Sequence, residues 1–181
     1  KDVKALIHSA NEASTPIQLV QTAFIINETQ VHYFFSKITN RFGSLNDLHF
    51  ALWGLSFKPN TDDIRESPAL RVIDLLLSEG AKVSAYDPQA IERTREIYGD
   101  RIQYGKDQYE ILNQSDALIL ATEWSIFKNP EFDKMRQLLK NPIIFDGRNQ
   151  YDPYEMKNLG FEYYPIGRKH IIWNKAYIKS I

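Results

Sequence analysis

Two basic side chains in predicted loops have the chemistry to bind a phosphate-containing ligand. Lys58 lies in the stretch 57–65, which separates an apolar strand from the start of a helix. Arg148 lies in the stretch 146–149, directly after another apolar run. Arginine can meet a phosphate with two parallel hydrogen bonds, and lysine supplies a compact point charge. Together they suggest a site for an anion such as a pyrophosphate, to which Phe57 could add an apolar contact.

Several other kinds of chemistry receive no support from the sequence. The 181 residues contain no cysteine, so they provide neither a disulfide nor a thiol nucleophile. The four histidines share no metal-ligand spacing, and we predict no metal site. The loop after the first predicted strand contains Gly54 but no GxGxxG, so it is not the dinucleotide fingerprint. Asp87 directly follows the second strand, where dinucleotide folds hold a ribose, but we favour a helix N-cap because Pro88 follows it.

The composition is that of a folded protein without a strong charge. Hydrophobic residues make up 43% of the chain and aromatic residues 13%, which is ample material for a core. The net charge is −1, so no basic field favours nucleic acid as a partner. No apolar run approaches the roughly 20 residues of a membrane span, and we expect no membrane partner. The lack of cysteine fits a reducing compartment, and we expect a cytoplasmic location.

Strands and helices alternate from residue 48 onwards. The predicted strands are 48–55, 82–86, 102–104, 117–121, 143–145 and 161–164. Such alternation with short loops predicts an α/β fold with a Rossmann-like, doubly wound parallel sheet. In the strand order 3-2-1-4-5-6, the loops after strands 1, 4 and 5 meet in one crevice, which would collect Lys58 and Arg148. Capping residues that precede proline support the helix starts; they are Thr15, Ser67, Asp87, Asn129 and Asp152.

A long N-terminal helical segment precedes the sheet. Thr15, Pro16 and Gln18 together predict a capping box and a helix over 16–42, which ends at Gly43. Its apolar residues form two stripes, where one would suffice for packing on a single domain. Two stripes favour burial on both sides, between domains or across a dimer. Burial within one subunit is the alternative.

The stretch 54–67, Gly-Leu-Ser-Phe-Lys-Pro-Asn-Thr-Asp-Asp-Ile-Arg-Glu-Ser, resembles a signature of the UDP-glucose/GDP-mannose dehydrogenase family. It is similar to the UDP-sugar-binding C-terminal domain, and its Lys-Pro-Asn-Thr-Asp-Asp form is most similar to the branch that acts on UDP-glucose. Three further motifs recur in the family in the same order, namely Tyr86-Asp87-Pro88, Thr122-Glu123-Trp124 and Asp146-Gly147-Arg148-Asn149. The resemblance extends from Lys1 to about Arg168.

The resemblance implies roles for five residues. Phe57, Lys58 and Arg148 match positions that contact the UDP-sugar. Arg65 matches an arginine that reaches NAD bound by an N-terminal domain, and Asp2 matches an active-site aspartate beside a catalytic cysteine. Each charged residue has a simpler alternative. Lys58 could be a solvated loop lysine, and Asp2 a first-turn helix carboxylate. Arg65 could pair with Asp62 or Asp63, and Arg148 with Asp146 or Asp152.

The resemblance also implies an activity. The family oxidises the C6 alcohol of a nucleotide sugar to a carboxylate, with two hydride transfers to two NAD and a cysteine that holds the intermediate. Since this sequence lacks that cysteine and the fingerprint, it would be the C-terminal part of such an enzyme and inactive alone. Residues 1–46 would form a central segment that makes a homodimer through helix 16–42, and residues 47–181 the UDP-sugar-binding domain. Alternatives are a GDP-mannose or UDP-N-acetylhexosamine dehydrogenase, or a non-catalytic nucleotide-sensing domain.

Overall fold

Across residues 2–172, which the computed structural model describes, six parallel strands form one sheet. The strands are β1 (His49–Trp53), β2 (Lys82–Tyr86), β3 (Gln103–Tyr104), β4 (Ala117–Leu120), β5 (Ile143–Asp146) and β6 (Glu162–Pro165). Their order in the sheet is β3-β2-β1-β4-β5-β6, with every neighbouring pair parallel. The predicted Rossmann-like parallel sheet is confirmed, and its strand order is the one on which the expected crevice depends.

Helices cover both faces of this sheet. They are α1 (Asp2–Glu12), α2 (Gln18–Phe42), α3 (Pro68–Ser78), α4 (Ile91–Tyr98), α5 (Phe132–Leu138) and α6 (Pro153–Asn158), with short 3₁₀ turns at Gly99–Arg101, Glu110–Leu112 and Ser125–Phe127. Successive residues of a strand point to opposite faces. Phe50 and Leu52 of β1 therefore join a core with α2 and α3, while Ala51 and Trp53 join a second core with α5 and α6.

Two of the predicted helix caps are confirmed. The Ser67 hydroxyl accepts a hydrogen bond of 3.3 Å from the backbone N–H of Ala69, and Pro68 is the first residue of α3. The Asp152 carboxylate accepts from the N–H groups of Tyr154 and Glu155 at 2.9 and 3.0 Å, at the start of α6. In both cases the side chain satisfies N–H groups that the first helical turn leaves without a partner.

The other three predicted helix starts are wrong. The helix α2 begins at Gln18, and the Thr15 hydroxyl donates to the carbonyl of Ala13 instead of capping the helix. The helices α4 and α5 begin at Ile91 and Phe132, three and two residues after Pro88 and Pro130. A capping residue before proline is a local signal, and in these three cases it does not decide where the helix begins.

The two halves of α2 have different surroundings. Its buried residues are Val31, Phe34, Phe35 and Ile38, all in the C-terminal half. That half is also tied to β6, because the guanidinium of Arg41 donates two hydrogen bonds to the carboxylate of Glu162. No residue of the stretch 18–30 is buried, and Leu19 is 87% exposed. The C-terminal half of α2 therefore shares a core with the sheet. The division of the chain into two domains at residue 46 stays a prediction.

Candidate functional site

Three loops meet at the carboxyl edge of the sheet. Trp53 at the end of β1 lies beside Leu120 at the end of β4, and Leu120 lies beside Asp146 at the end of β5. The loops that follow these strands therefore leave the same edge, on both sides of the point where the strand order reverses. Ligands of open α/β sheets bind at this position.

A buried carboxylate, Asp87, holds the first of these loops. Its Oδ2 accepts hydrogen bonds from the backbone N–H groups of Leu55 and Ser56, from the Ser56 hydroxyl and from the indole N–H of Trp124, at 2.7 to 3.1 Å. Its Oδ1 accepts from the N–H groups of Gln89 and Ala90, both at 2.9 Å. A carboxylate offers about four lone-pair sites. Asp87 therefore has no free acceptor for a ribose, and it organises a loop rather than capping α4 as predicted.

A second buried carboxylate, Asp146, shapes the loop that carries Arg148. Its Oδ1 accepts from the backbone N–H of Arg148 at 2.8 Å. Its Oδ2 accepts from the N–H groups of Gln150 and Tyr151 and from the hydroxyl of Tyr163. Burial and the Asp146 carboxylate raise the pKa of Tyr163 above its usual value, so the hydroxyl keeps the proton that it donates.

The loop after β4 locks onto the loop after β1. The hydroxyl of Thr122 donates to the carbonyl of Ser56 at 2.6 Å, and the indole of Trp124 donates to the Ser56 hydroxyl at 3.1 Å. Gly54 has a φ of +90°, and a Cβ there would lie 2.4 Å from the Cβ of Thr122. Only glycine fits this close approach, so the two loops are held in one arrangement.

A cleft of about 860 Å³ lies between α2 and these loops. The helix contributes apolar side chains, among them Val20, Phe24, Val31 and Phe34. The three loops contribute Phe57, Ala121, Gly147 and Arg148. The cleft thus brings together two of the predicted ligand-binding residues, Phe57 and Arg148. Lys58, Arg65 and Asp2 do not belong to its walls.

Arg148 has an acidic partner that the sequence analysis did not assign. Its Nη2 donates to Oε1 of Glu123 at 2.7 Å, and its Nε donates to Oε2 of the same carboxylate. The alternative that Arg148 pairs with the side chain of Asp146 or Asp152 is therefore wrong. Burial raises and the Arg148 hydrogen bonds lower the pKa of Glu123, with a net shift below its usual value, so the carboxylate stays charged.

The first loop carries the other predicted binding residues. Lys58 is exposed and makes no ion pair or hydrogen bond with another side chain in the part of the chain described. The backbone N–H of its neighbour Phe57 donates to the carbonyl of Asp63 at 2.8 Å, which closes the loop on itself. The ammonium group of Lys58 is therefore available to a ligand at this edge.

Arg65 and Asp2 lie at the surface. The guanidinium of Arg65 donates to both carboxylate oxygens of Asp63 at 2.7 and 2.8 Å, while its side chain is 83% exposed. This ion pair is one of the two that the sequence analysis left open for Arg65; Asp62 pairs with Arg93 instead. Asp2 is the exposed first residue of α1.

The contacts that assemble the site were not predicted from the sequence. Asp87 directly follows β2 and Asp146 ends β5, each inside a recognised motif, and that position is the signal from which their loop-organising role could have been suspected. The motif Thr122-Glu123-Trp124 was recognised in the sequence, but nothing there indicated that Glu123 pairs with Arg148. The pair between Arg71 and Glu28, which joins α3 to α2 at 3.1 Å, left no signal in the sequence.

Residues 2–172 contain neither a candidate metal site nor a helix that could span a membrane. No group of three or more His, Cys, Asp or Glu side chains within this range could hold a metal ion. In the same range, no helix has the length and apolar character needed to cross a membrane.

The chain is similar to known nucleotide-sugar dehydrogenases. Residues 51–153 match the model of the UDP-glucose/GDP-mannose dehydrogenase family, UDP binding domain. The UDP-glucose 6-dehydrogenase TuaD of Bacillus subtilis is 39% identical over 168 residues, which cover 93% of this chain and 36% of that protein.

Solved structures of dehydrogenases have a fold similar to that of this chain. A UDP-glucose dehydrogenase from the hyperthermophilic archaeon Pyrobaculum islandicum matches with a TM-score of 0.73 and 32% identity, over 81% of this chain and 32% of that one. An NDP-N-acetyl-D-galactosaminuronic acid dehydrogenase from Methanosarcina mazei Go1 matches with a TM-score of 0.77 over 93% of this chain and 37% of that one, but at 24% identity it shows the fold alone. The chain spans about a third of the length of these relatives.

Proposed function

The chain belongs to the UDP-glucose/GDP-mannose dehydrogenase family, as its motifs predicted, and we propose that it is the UDP-sugar-binding, C-terminal part of an NAD-dependent UDP-glucose 6-dehydrogenase. The observation that carries the proposal is that Phe57 and Arg148 line one cleft at the carboxyl edge of the sheet. The complete enzyme would oxidise the C6 alcohol of UDP-glucose to the carboxylate of UDP-glucuronate. A GDP-mannose or UDP-N-acetylhexosamine dehydrogenase is the alternative within the family, and a non-catalytic nucleotide sensor is the alternative outside it.

In this proposal, the residues of the chain bind and orient the nucleotide diphosphate. The guanidinium of Arg148 would donate two parallel hydrogen bonds to phosphate oxygens, and the ammonium of Lys58 would add a second positive charge. The ring of Phe57 and the apolar side chains of α2 would exclude water from the cleft. Charge–charge attraction is stronger where water is excluded, so these walls would strengthen the contact of Arg148 with the diphosphate.

NAD does not fit the sheet of this chain in the manner of a dinucleotide-binding fold. That manner needs a glycine-rich turn after β1 and a free carboxylate after β2. The loop after β1 has neither the GxGxxG spacing nor freedom from its neighbours, and the carboxylate of Asp87 is fully used by hydrogen bonds within the protein. We therefore propose that residues outside this chain hold most of the cofactor.

The test of this proposal compares the 181-residue chain with the full-length protein. The full-length protein is expected to reduce NAD when UDP-glucose is added, which NADH absorbance records directly. The chain by itself is expected to give no NADH, because it contains no cysteine to hold the intermediate and no dinucleotide fingerprint. Turnover by the chain alone would contradict the proposed division of labour, and turnover by the full-length protein only with GDP-mannose would transfer the proposal to that substrate.

Two further roles proposed on the family match concern Arg65 and Asp2. In the full-length protein, Arg65→Ala is expected to raise the NAD concentration needed for half-maximal rate more than the corresponding UDP-glucose concentration. Asp2→Asn is expected to lower kcat without changing the NAD or the UDP-glucose concentration needed for half-maximal rate. The matched control for Arg65→Ala is Arg93→Ala, which breaks the neighbouring exposed ion pair with Asp62. If Arg65→Ala and Arg93→Ala behave alike, the role of Arg65 is limited to its pair with Asp63.

We also propose that a second copy of the chain covers the N-terminal half of α2. This half carries no buried residue, yet it presents Leu19, Ile25 and Ile26 to solvent. The helix α1 adds exposed Val3 and Leu6. Contiguous apolar side chains of this kind mark protein–protein contacts.

Charges placed on this apolar surface are expected to separate the two subunits. Residues of the buried half of α2, such as Val31 and Phe35, are unsuitable positions because charges there would disrupt the core of the chain itself. Leu19→Glu combined with Ile26→Glu avoids this problem, since both side chains are exposed. Light scattering of the full-length protein should then show halved mass, while the control Ile97→Glu on α4 should not. A wild-type protein of monomeric mass would end the proposal.

A further inference from the structure

We propose that Glu123 is a positioning residue that orients the guanidinium of Arg148 for the diphosphate of the ligand. This inference rests on the proposed function, because it assigns the geometry of the same site. It gives a role to the central residue of the motif Thr122-Glu123-Trp124, which the proposed function does not use.

The contact between the two side chains leaves one edge of the guanidinium free. Arginine has five N–H groups in a rigid plane. Glu123 accepts one from Nε and one from Nη2, so three remain, two on Nη1 and one on Nη2. No hydrogen bond to a residue within 2–172 uses Nη1. These remaining groups include a second parallel pair, which matches two oxygens of a phosphate.

The positions of the two residues relative to the cleft suggest where the ligand would bind Arg148. Arg148 is part of the cleft wall, whereas Glu123 is not. In this proposal, the carboxylate holds one edge of the guanidinium and leaves the other edge for the ligand. A ligand inside the cleft can bind Arg148 without displacing Glu123.

Glu123 itself is fixed by its neighbours in the chain. Thr122 and Trp124 on either side are both buried, and their side chains donate to Ser56 and Asp87 in the adjoining loops. The backbone N–H of Trp124 also donates to the carbonyl of Thr122 at 3.0 Å, which makes a tight turn around Glu123. A carboxylate held between two buried anchors can hold a guanidinium in one plane.

The orienting effect of Glu123 on Arg148 outweighs the repulsion between Glu123 and an anionic ligand. A long arginine side chain loses rotamer freedom when it binds a ligand, and prior contact with Glu123 removes most of that loss. The negative charge of Glu123 opposes an anionic ligand, but the pair is about one-third exposed and solvent screens it. The net effect of Glu123 should therefore favour binding.

A double-mutant cycle in the full-length protein tests whether Glu123 acts through Arg148. The four proteins are wild type, Glu123→Gln, Arg148→Lys and the double variant, with UDP as the probe in calorimetric titration. Glu123→Gln should weaken UDP binding by about tenfold, although it removes a negative charge. In the Arg148→Lys protein, Glu123→Gln should change the affinity for UDP by less than about twofold, because lysine has no planar guanidinium to orient. Asp133→Asn, which removes a charge from an exposed pair on α5, is the control and should leave UDP binding unchanged.

The outcomes separate this inference from the function on which it rests. A wild-type protein that fails to bind UDP overturns both. A wild-type protein that binds UDP, with Glu123→Gln equal to it or tighter, overturns the positioning role alone. Equal losses from Glu123→Gln in the wild-type and Arg148→Lys backgrounds would show that Glu123 acts on the loop rather than on the guanidinium, and would overturn it as well. Thermal melting of all four proteins should differ little, since both side chains are partly exposed.

Discussion

Arg148→Ala and Lys58→Ala in the full-length protein are each expected to weaken UDP-glucose binding by about tenfold or more. A hydrogen bond to a charged group contributes about 1.5–3 kcal/mol, and about 1.4 kcal/mol corresponds to a factor of ten. Arg148 forms part of the cleft wall. Lys58 lies in the neighbouring loop, and its side chain has no partner among the described residues. Titration with UDP-glucose measures both losses directly.

The matched controls for this prediction lie on α5. Lys134→Ala and Arg136→Ala remove exposed cations that pair with Glu131 and Asp133. They change the net charge as the site variants do, but they lie outside the cleft wall and should leave binding unchanged. Thermal melting should stay close to wild type in all four variants. Unchanged affinity in both site variants would refute the proposed UDP-sugar site, and lost affinity with a collapsed melting temperature would make the two residues structural.

Asp87→Asn is expected to lower the free energy of unfolding by about 3 kcal/mol. The carboxylate accepts hydrogen bonds on both oxygens, from donors in three separate loops. An asparagine presents an NH₂ group to one of these sets of donors whichever way its amide is turned. Buried N–H groups left without an acceptor destabilise a protein by about 1–3 kcal/mol each. Urea denaturation of the wild-type and variant proteins measures the difference.

The control for this substitution is Asp152→Asn. It makes the same chemical change at the exposed N-cap of α6, where the carboxylate accepts two backbone N–H groups. Asparagine and aspartate are about equally good N-caps, so the stability should hardly change. Asp87→Asn should also weaken UDP-glucose binding, because the loop that it releases carries Phe57 and Lys58. A variant as stable as wild type would show that Asp87 does not hold the loops together.

Much of the sheet was predictable because strand signals are local. The residues of β2 were predicted without error, and the remaining strands were predicted to within two residues at each end. Apolar runs between turn residues identify strands, and the strand–helix alternation leaves few possible topologies. Crossover helices make successive strands parallel, so the loops of Lys58 and Arg148 were expected to leave the same edge of the sheet. The caps at Ser67 and Asp152 were equally predictable, since each side chain binds N–H groups two or three residues away.

The sequence by itself also determined the family, since the motifs around Lys58, Asp87, Glu123 and Arg148 are long and occur in a fixed order. It could not determine what those residues touch. Asp87 resembles an N-cap as long as only Pro88 is considered, yet its partners Leu55 and Trp124 lie more than thirty positions away. Arg148 likewise has aspartates nearby in the sequence but pairs with Glu123, twenty-five positions away. Periodicity and spacing report only neighbours along the chain. Which charges pair and which residues form the cleft was decided by the tertiary structure, because the sheet brings the ends of distant strands to within hydrogen-bonding distance.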